Sequence, residues 1–189
     1  YCYYYYKMVK AYYLNDNSPV TLSYLKDHLG IQYWSIDADN YEDALQSIEK
    51  EYGYASRSEV TCSKDGLGDK FDMLMKRFFE EHMHDHPEIR FILDGSGFFD
   101  VRTPNQKSWI RIDVQKNDLI TLPAGMYHRF NLNEHAYLKA MRLFIKGVDP
   151  VWVALNRDDP STESRDARQS YLKRFGDSSS SSSPPPSKK

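Results

Sequence analysis

The sequence predicts a mainly β domain with peripheral helices, and three observations carry that reading. From Glu88 onward, short apolar runs recur at near-regular spacing with turn residues between them, the pattern of an antiparallel sandwich or small barrel. Apolar residues three and four apart, which share one face of a helix, occur ahead of residue 80. The chain of 189 residues, 40% apolar and 14% aromatic, amounts to about one domain and fills one core. A fibrous, repeat or wholly disordered protein is excluded.

Residues 1–7 are a low-complexity Tyr-rich segment, and Met8 reads as the natural start, opening MVKAYYL with the spacing of a first strand. Ser18-Pro19 followed by Leu22, Leu25 and Leu29 and closed by Gly30 predicts a short helix with a Ser cap and Pro at its first position. Residues 31–36 read as a strand. Asn40 followed by Tyr41, Ala44, Leu45 and Ile48 predicts a second capped helix ending near Gly53. Phe71, Leu74, Met75, Phe78 and Phe79 predict a third. The strands follow at 89–93, 98–102, 109–114, 119–122, 127–132 and 137–145, with turns at 94–97, 103–105, 116–118, 123–125 and 131–133. Beyond Phe175 no apolar residue occurs, so residues 177–189, with six consecutive serines and three prolines, are expected to be a disordered tail. The working domain is then 8–176.

Twenty-five Lys and Arg against twenty-seven Asp and Glu leave a formal charge of −2, which gives no footprint for nucleic acid or anionic lipid. Nowhere do about 18 apolar residues run together, and no secretory leader opens the chain, so a soluble intracellular protein is expected. Cys2 and Cys62 make no disulfide framework, and Cys62 reads as a small buried apolar residue.

The chemistry concentrates at Glu80-Glu81-His82-Met83-His84-Asp85-His86-Pro87-Glu88-Ile89-Arg90. In an extended chain His82 and His84 point to one side. A bend at Pro87 can return the Glu88 carboxylate to the same centre, and His128, after the turn Pro123-Ala124-Gly125, can supply a further nitrogen. Imidazoles with a carboxylate and no sulfur suit divalent first-row metals, in an octahedral site with two open positions or in a closed structural one. A His-x-His pair alone is a weak signal. Its joint occurrence with Glu88, with Gly95-x-Gly97 and with Pro123-x-Gly125-xx-His128 is a much stronger one.

With these motifs the sequence resembles the cupins and, within them, closely, the acireductone dioxygenase family. His82-x-His84-xxx-Glu88 followed by Gly95 matches the first cupin motif, and Pro123-x-Gly125-xx-His128 the second. The stretches EIRFILDGSGFFDVR (88–102), WIRI (109–112), LPAGMYHRF (122–130) and KAMRLF (139–144) look like that family's own signature, and similarity runs from about residue 8 to 157. Asn117 departs from the motif, which generally carries Gly there; Asn tolerates the left-handed conformation such a turn needs.

The resemblance implies a cupin antiparallel β-barrel, or jelly roll, with N-terminal helices, and one Fe2+ or Ni2+ per chain on His82, His84, Glu88 and His128. It implies oxidative cleavage of 1,2-dihydroxy-3-keto-5-methylthiopentene, an acireductone of methionine salvage, by O2. Iron would favour 2-keto-4-methylthiobutanoate and formate, and nickel 3-methylthiopropanoate, formate and CO. The expected partners are that small molecule and O2, with no nucleic acid and no membrane span, for a monomer in the cytoplasm and also the nucleus. His86 falls outside the matched pattern and reads as solvent-facing or as packing behind a ligand; His28 and His135 read as surface residues. Arg90, two residues beyond Glu88 on one strand, should face the same cavity and hold substrate charge as a catalytic residue, the alternative being a salt bridge to Glu80, Glu81 or Asp94. Phe130 shares the parity of His128, and Phe78 lies a helical turn before His82; both are expected to wall the substrate pocket. Arg142 reads as a buried structural cation. Another metal-dependent cupin enzyme and a non-catalytic cupin interaction protein are the alternatives.

Overall fold

The computed structural model describes residues 9–148 and 153–176; the Tyr-rich segment 1–7, Met8 and the tail 177–189 lie outside the described residues. Among the described residues ten strands, all paired antiparallel, build two leaves that share one long strand. In the first leaf β1 (Lys10–Tyr13), β6 (Trp109–Gln115), β5 (Glu88–Arg102), β8 (His128–Leu132), β4 (His82–Met83) and β10 (Leu155–Asn156) lie in that order. In the second the order is β2 (Gln32–Ser35), β7 (Asp118–Leu122), β5, β9 (Leu138–Ile145) and β3 (Tyr54–Cys62). The expected β architecture is therefore present.

The expected turn at 94–97 is not. Residues 88–102 form one strand, whose first half pairs with β7 and β9 and whose second half pairs with β6 and β8. A register shift between Ile92 and Asp94 and a left-handed Gly95, φ 73°, bend the strand from one leaf into the other. Period-two alternation then sorts β5. Ile89 and Phe91 face an apolar cluster with Leu45 and Ile48 of α2 (Glu42–Tyr52), whereas Glu88, Arg90 and Ile92 face the space between the leaves.

The helices differ from expectation at their starts. Helix α1 (Leu22–Leu29) is capped by Thr21, whose Oγ1 accepts from Tyr24 N at 3.1 Å, because Ser18 is held by Asp16 and Pro19 bridges Tyr12 of β1. Asn40 does not cap α2; Tyr41 occupies that place with no side-chain bond. The strand β3 was not expected, since it is largely polar: its Arg57 is tied to Glu42 and Glu49 of α2 by ion pairs rather than by apolar packing. The short α3 (Lys64–Leu67) leads to α4 (Phe71–Phe79), which has no fully buried residue. Phe71, Met75 and Phe78 are partly buried against the core, and Leu74 and Phe78 wall a cavity. A fifth helix, α5 (Asp166–Phe175), was also missed; it buries Arg168, Tyr171 and Phe175.

Asn117 has φ 83°, as its departure from Gly required, and its side chain adds something Gly lacks: Oδ1 accepts from Ala38 N at 2.9 Å. Asn117→Gly should keep the turn and lose only that bond. Asn117→Ala loses the bond and also meets the left-handed penalty, so urea unfolding should show it less stable than Asn117→Gly by about 1 kcal/mol. Equal losses would show that the backbone conformation does not select the residue.

Candidate metal centre

Three histidines converge at the inner end of β4 and β8. Met83 turns into the core at 0% exposure, which leaves His82 and His84 on the opposite side of the extended segment. The pairing His82↔His128 between β4 and β8 brings in the third ring. Ring centroids are separated by 5.1 Å (His82 to His84), 4.6 Å (His82 to His128) and 5.2 Å (His84 to His128), and one ligand nitrogen from each lies within 4.8 Å of the others. Glu88 joins from β5, with Oε2 3.0 Å from His84 Nε2 and 3.6 Å from His128 Nε2.

Each ring faces a backbone carbonyl through Nδ1: His82 to Glu80 O at 2.7 Å, His84 to Val153 O at 2.5 Å and His128 to Met126 O at 2.9 Å. A carbonyl oxygen only accepts, so each Nδ1 carries a hydrogen and Nε2 is the nitrogen left to face the shared centre. Burial, with the neighbouring rings of His128 and His84, lowers His82 to a pKa of about 3, which keeps it neutral and able to ligate. Burial works to raise the Glu88 carboxyl, but the Arg90 guanidinium and the His128 and His84 rings outweigh it and hold the group well below the usual carboxylate range.

Imidazole nitrogens and an ionised carboxylate that converge in a buried place form a donor set for a cation. Glu88 Oε2 is met by His84, His128 and the Arg90 guanidinium in a buried place. The donor set fits one divalent first-row ion. His86 is exposed, as is His135, while His28 is half-buried against the Tyr24 ring, 4.5 Å away, so its reading as a surface residue holds only in part.

His82 and Glu88 open onto a cavity of about 270 Å³ with Phe78 and Phe130 in its wall. Arg90 also lines it, with Nη2 3.3 Å from Glu88 Oε2; its ion pair is thus with Glu88 and not with Glu80, Glu81 or Asp94, and Glu81 is taken by Arg102 and Arg157. Arg142 is not the buried structural cation expected. It is half-buried, lines the same cavity opposite Arg90 in the β5–β9 register, and donates to Ser58 Oγ at 3.0 Å. Burial and the neighbouring Arg90 both push its pKa down. Parity along 137–145 was the signal that could have placed it. Cys62 is buried as expected, but in this cavity wall, where burial raises its thiol pKa.

A sequence model of the ARD/ARD' family matches residues 15–154. Acireductone dioxygenase 1 of Coprinopsis cinerea is 47% identical over 148 residues, covering 78% of this chain and 82% of its own length. The acireductone dioxygenase of Monodelphis domestica is 45% identical over 184 residues, covering 89% and 100%. That of Schizosaccharomyces pombe is 51% identical over 136 residues, covering 72% and 73%. Among solved structures, an acireductone dioxygenase from Bacillus anthracis with a cadmium ion in its active centre superposes with a TM-score of 0.68 at 19% identity, over 78% of this chain and 98% of that one. It establishes the shared fold.

His84→Ala and His128→Ala should each lose the ion on dialysis while keeping their circular dichroism spectrum, and His86→Ala should retain it. Metal content by mass spectrometry checks this; loss from His86→Ala equal to that from His84→Ala would overturn the ligand assignment.

Proposed function

This chain belongs to the ARD/ARD' family, the acireductone dioxygenases, and we propose that His82, His84, Glu88 and His128 hold the single divalent ion of that reaction. Relatives at 44% to 51% identity carry the dioxygenase name across fungi and animals, which sets aside the other cupin enzymes and the non-catalytic reading. The enzyme cleaves its acireductone with O2. The observation that supports the assignment of the site is the set of three Nδ1–H groups bound to carbonyls, which turns the opposite ring nitrogens and an ionised Glu88 toward one point.

An ion bound there supplies Lewis acidity and a template for an enediol dianion. The chain's own residues do the rest. Arg90 and Arg142 stand across from each other in the β5–β9 register, a like-charged pair that disfavours the empty cavity and favours an anion within it. Arg90 offers a planar fork for the substrate oxygens, while Glu88 keeps it oriented at 3.3 Å. Phe78 of α4 and Phe130 of β8, whose ring centroids are 6.4 Å apart, seat the methylthio end and exclude water.

Both Fe2+ and Ni2+ suit imidazole nitrogen with carboxylate oxygen, and we assign both product sets to this chain, 2-keto-4-methylthiobutanoate and formate with iron, and 3-methylthiopropanoate, formate and CO with nickel. The near-neutral charge supports the same reading, of an enzyme whose partners are a small enediol and O2.

The test is oxygen uptake with the acireductone, after loading the metal-free chain with each ion in turn. Formate should appear with both, and CO with nickel alone; one product set from both ions would contradict the assignment. Arg90→Lys, at full metal content, should slow turnover by about 10²–10³, since a point charge replaces a preorganised fork. Turnover and substrate affinity like those of the unmodified chain would remove Arg90 from the mechanism.

A further inference from the structure

Arg168 is 1% exposed, the largest of the fully buried side chains, and it stands on α5, beyond residue 154 where the family match ends. A buried guanidinium is costly unless its charge and its hydrogens find partners, and an apolar side chain of similar size would fill the space without that cost. Its partners are therefore informative. Nε meets Glu163 Oε2 at 3.1 Å, the guanidinium lies over the Tyr127 ring at 4.4 Å, and Nη1 donates to Gly125 O at 3.0 Å.

That acceptor sits in the turn that holds two of the three imidazoles. Gly125 N donates to His84 O at 2.9 Å, and Met126 O, the next carbonyl, accepts a hydrogen bond from His128 Nδ1. Gly125 has φ 76°, and a Cβ there would overlap the Ala167 carbonyl and lie 2.8 Å from Arg168 Cα, so turn and helix meet backbone to backbone. The turn has no side chain at Gly125 with which to fix itself. The guanidinium does so from outside.

We infer that Arg168 is a positioning residue for the metal centre: through the Gly125 carbonyl it holds the 123–127 turn where His84 and His128 present their nitrogens to one ion. The inference rests on the metal reading above. Outer partners of metal ligands typically shift metal affinity 10–100-fold when removed.

The experiment uses the full chain loaded with Co2+, recording the visible spectrum and the rate of Co2+ loss to excess chelator, neither of which depends on turnover. Arg168→Met should release Co2+ at least about tenfold faster and alter the spectrum. Arg168→Lys, which keeps one donor for Gly125 O, should fall between and serves as the reading if Arg168→Met does not fold. Val114→Ala, on β6 beside Gly97 and away from both the turn and the proposed ligands, supplies a destabilised control, whose melting temperature should fall while its release rate stays within about twofold of the unmodified chain. Release from Arg168→Lys and Arg168→Met at the unmodified rate, or equal acceleration in Val114→Ala, would overturn the inference while leaving the metal reading intact. An unmodified chain that takes up no Co2+ would overturn both.

Discussion

Three hydrogen bonds from imidazole Nδ1 to backbone carbonyls hold this site together, and the carbonyls come from three separate segments. Glu80 O follows α4, Met126 O lies in the turn before β8, and Val153 O precedes β10. Each bond fixes a tautomer and a ring plane at once, so the direction of every nitrogen lone pair is set by where the main chain runs. The same segments are locked to one another. His82 pairs with both His128 of β8 and Asn156 of β10, and Arg157 and Arg102 both grip Glu81. Residues 155–157 thus clamp β4, which carries His82 and leads directly into His84.

The cavity beside the imidazoles follows from the path of β5. A strand that passes from one leaf to the other keeps its alternation, so Glu88, Arg90 and Ile92 face inward while Ile89 and Phe91 are sealed beneath α2. Glu88 is ionised in spite of burial because a guanidinium and two rings surround it, and Arg142 and Arg90 stand close enough to lower the pKa of Arg142. An anionic chelating substrate relieves that repulsion, whereas a neutral one would not. The apolar side of α4 closes the opening above, which is why a helix of clear amphipathic spacing has no fully buried residue.

Where apolar spacing coincided with burial, the sequence was legible. The strands after Glu88 report a periodicity that the structure realises, the helix 71–79 was legible from spacing although its apolar side faces a cavity, and the spacing of His82, His84 and His128 brings three rings together. It was illegible where polar groups do the work of apolar ones. β3 is anchored by Arg57 to two glutamates, and α5 buries an arginine, so neither was assigned as an element. Arg142 was misplaced because it was read as a lone cation among apolar neighbours, whereas its parity with Leu138 and Ala140 puts it on the cavity side of β9. The bend at Gly95 looked like a turn because Asp94-Gly95-Ser96-Gly97 has turn composition, and only the pairing of both halves of β5 reveals a continuous strand.

The central claim is that three imidazoles, oriented by their carbonyl partners, hold one ion together with Glu88. X-ray absorption spectroscopy of the chain loaded with one equivalent of Ni2+ tests it most directly, because scattering from the outer ring atoms counts imidazoles. The expected spectrum fits three imidazole nitrogens with oxygen donors completing the shell and no sulfur. Two imidazoles or fewer, or a sulfur scatterer from Cys62, would contradict it.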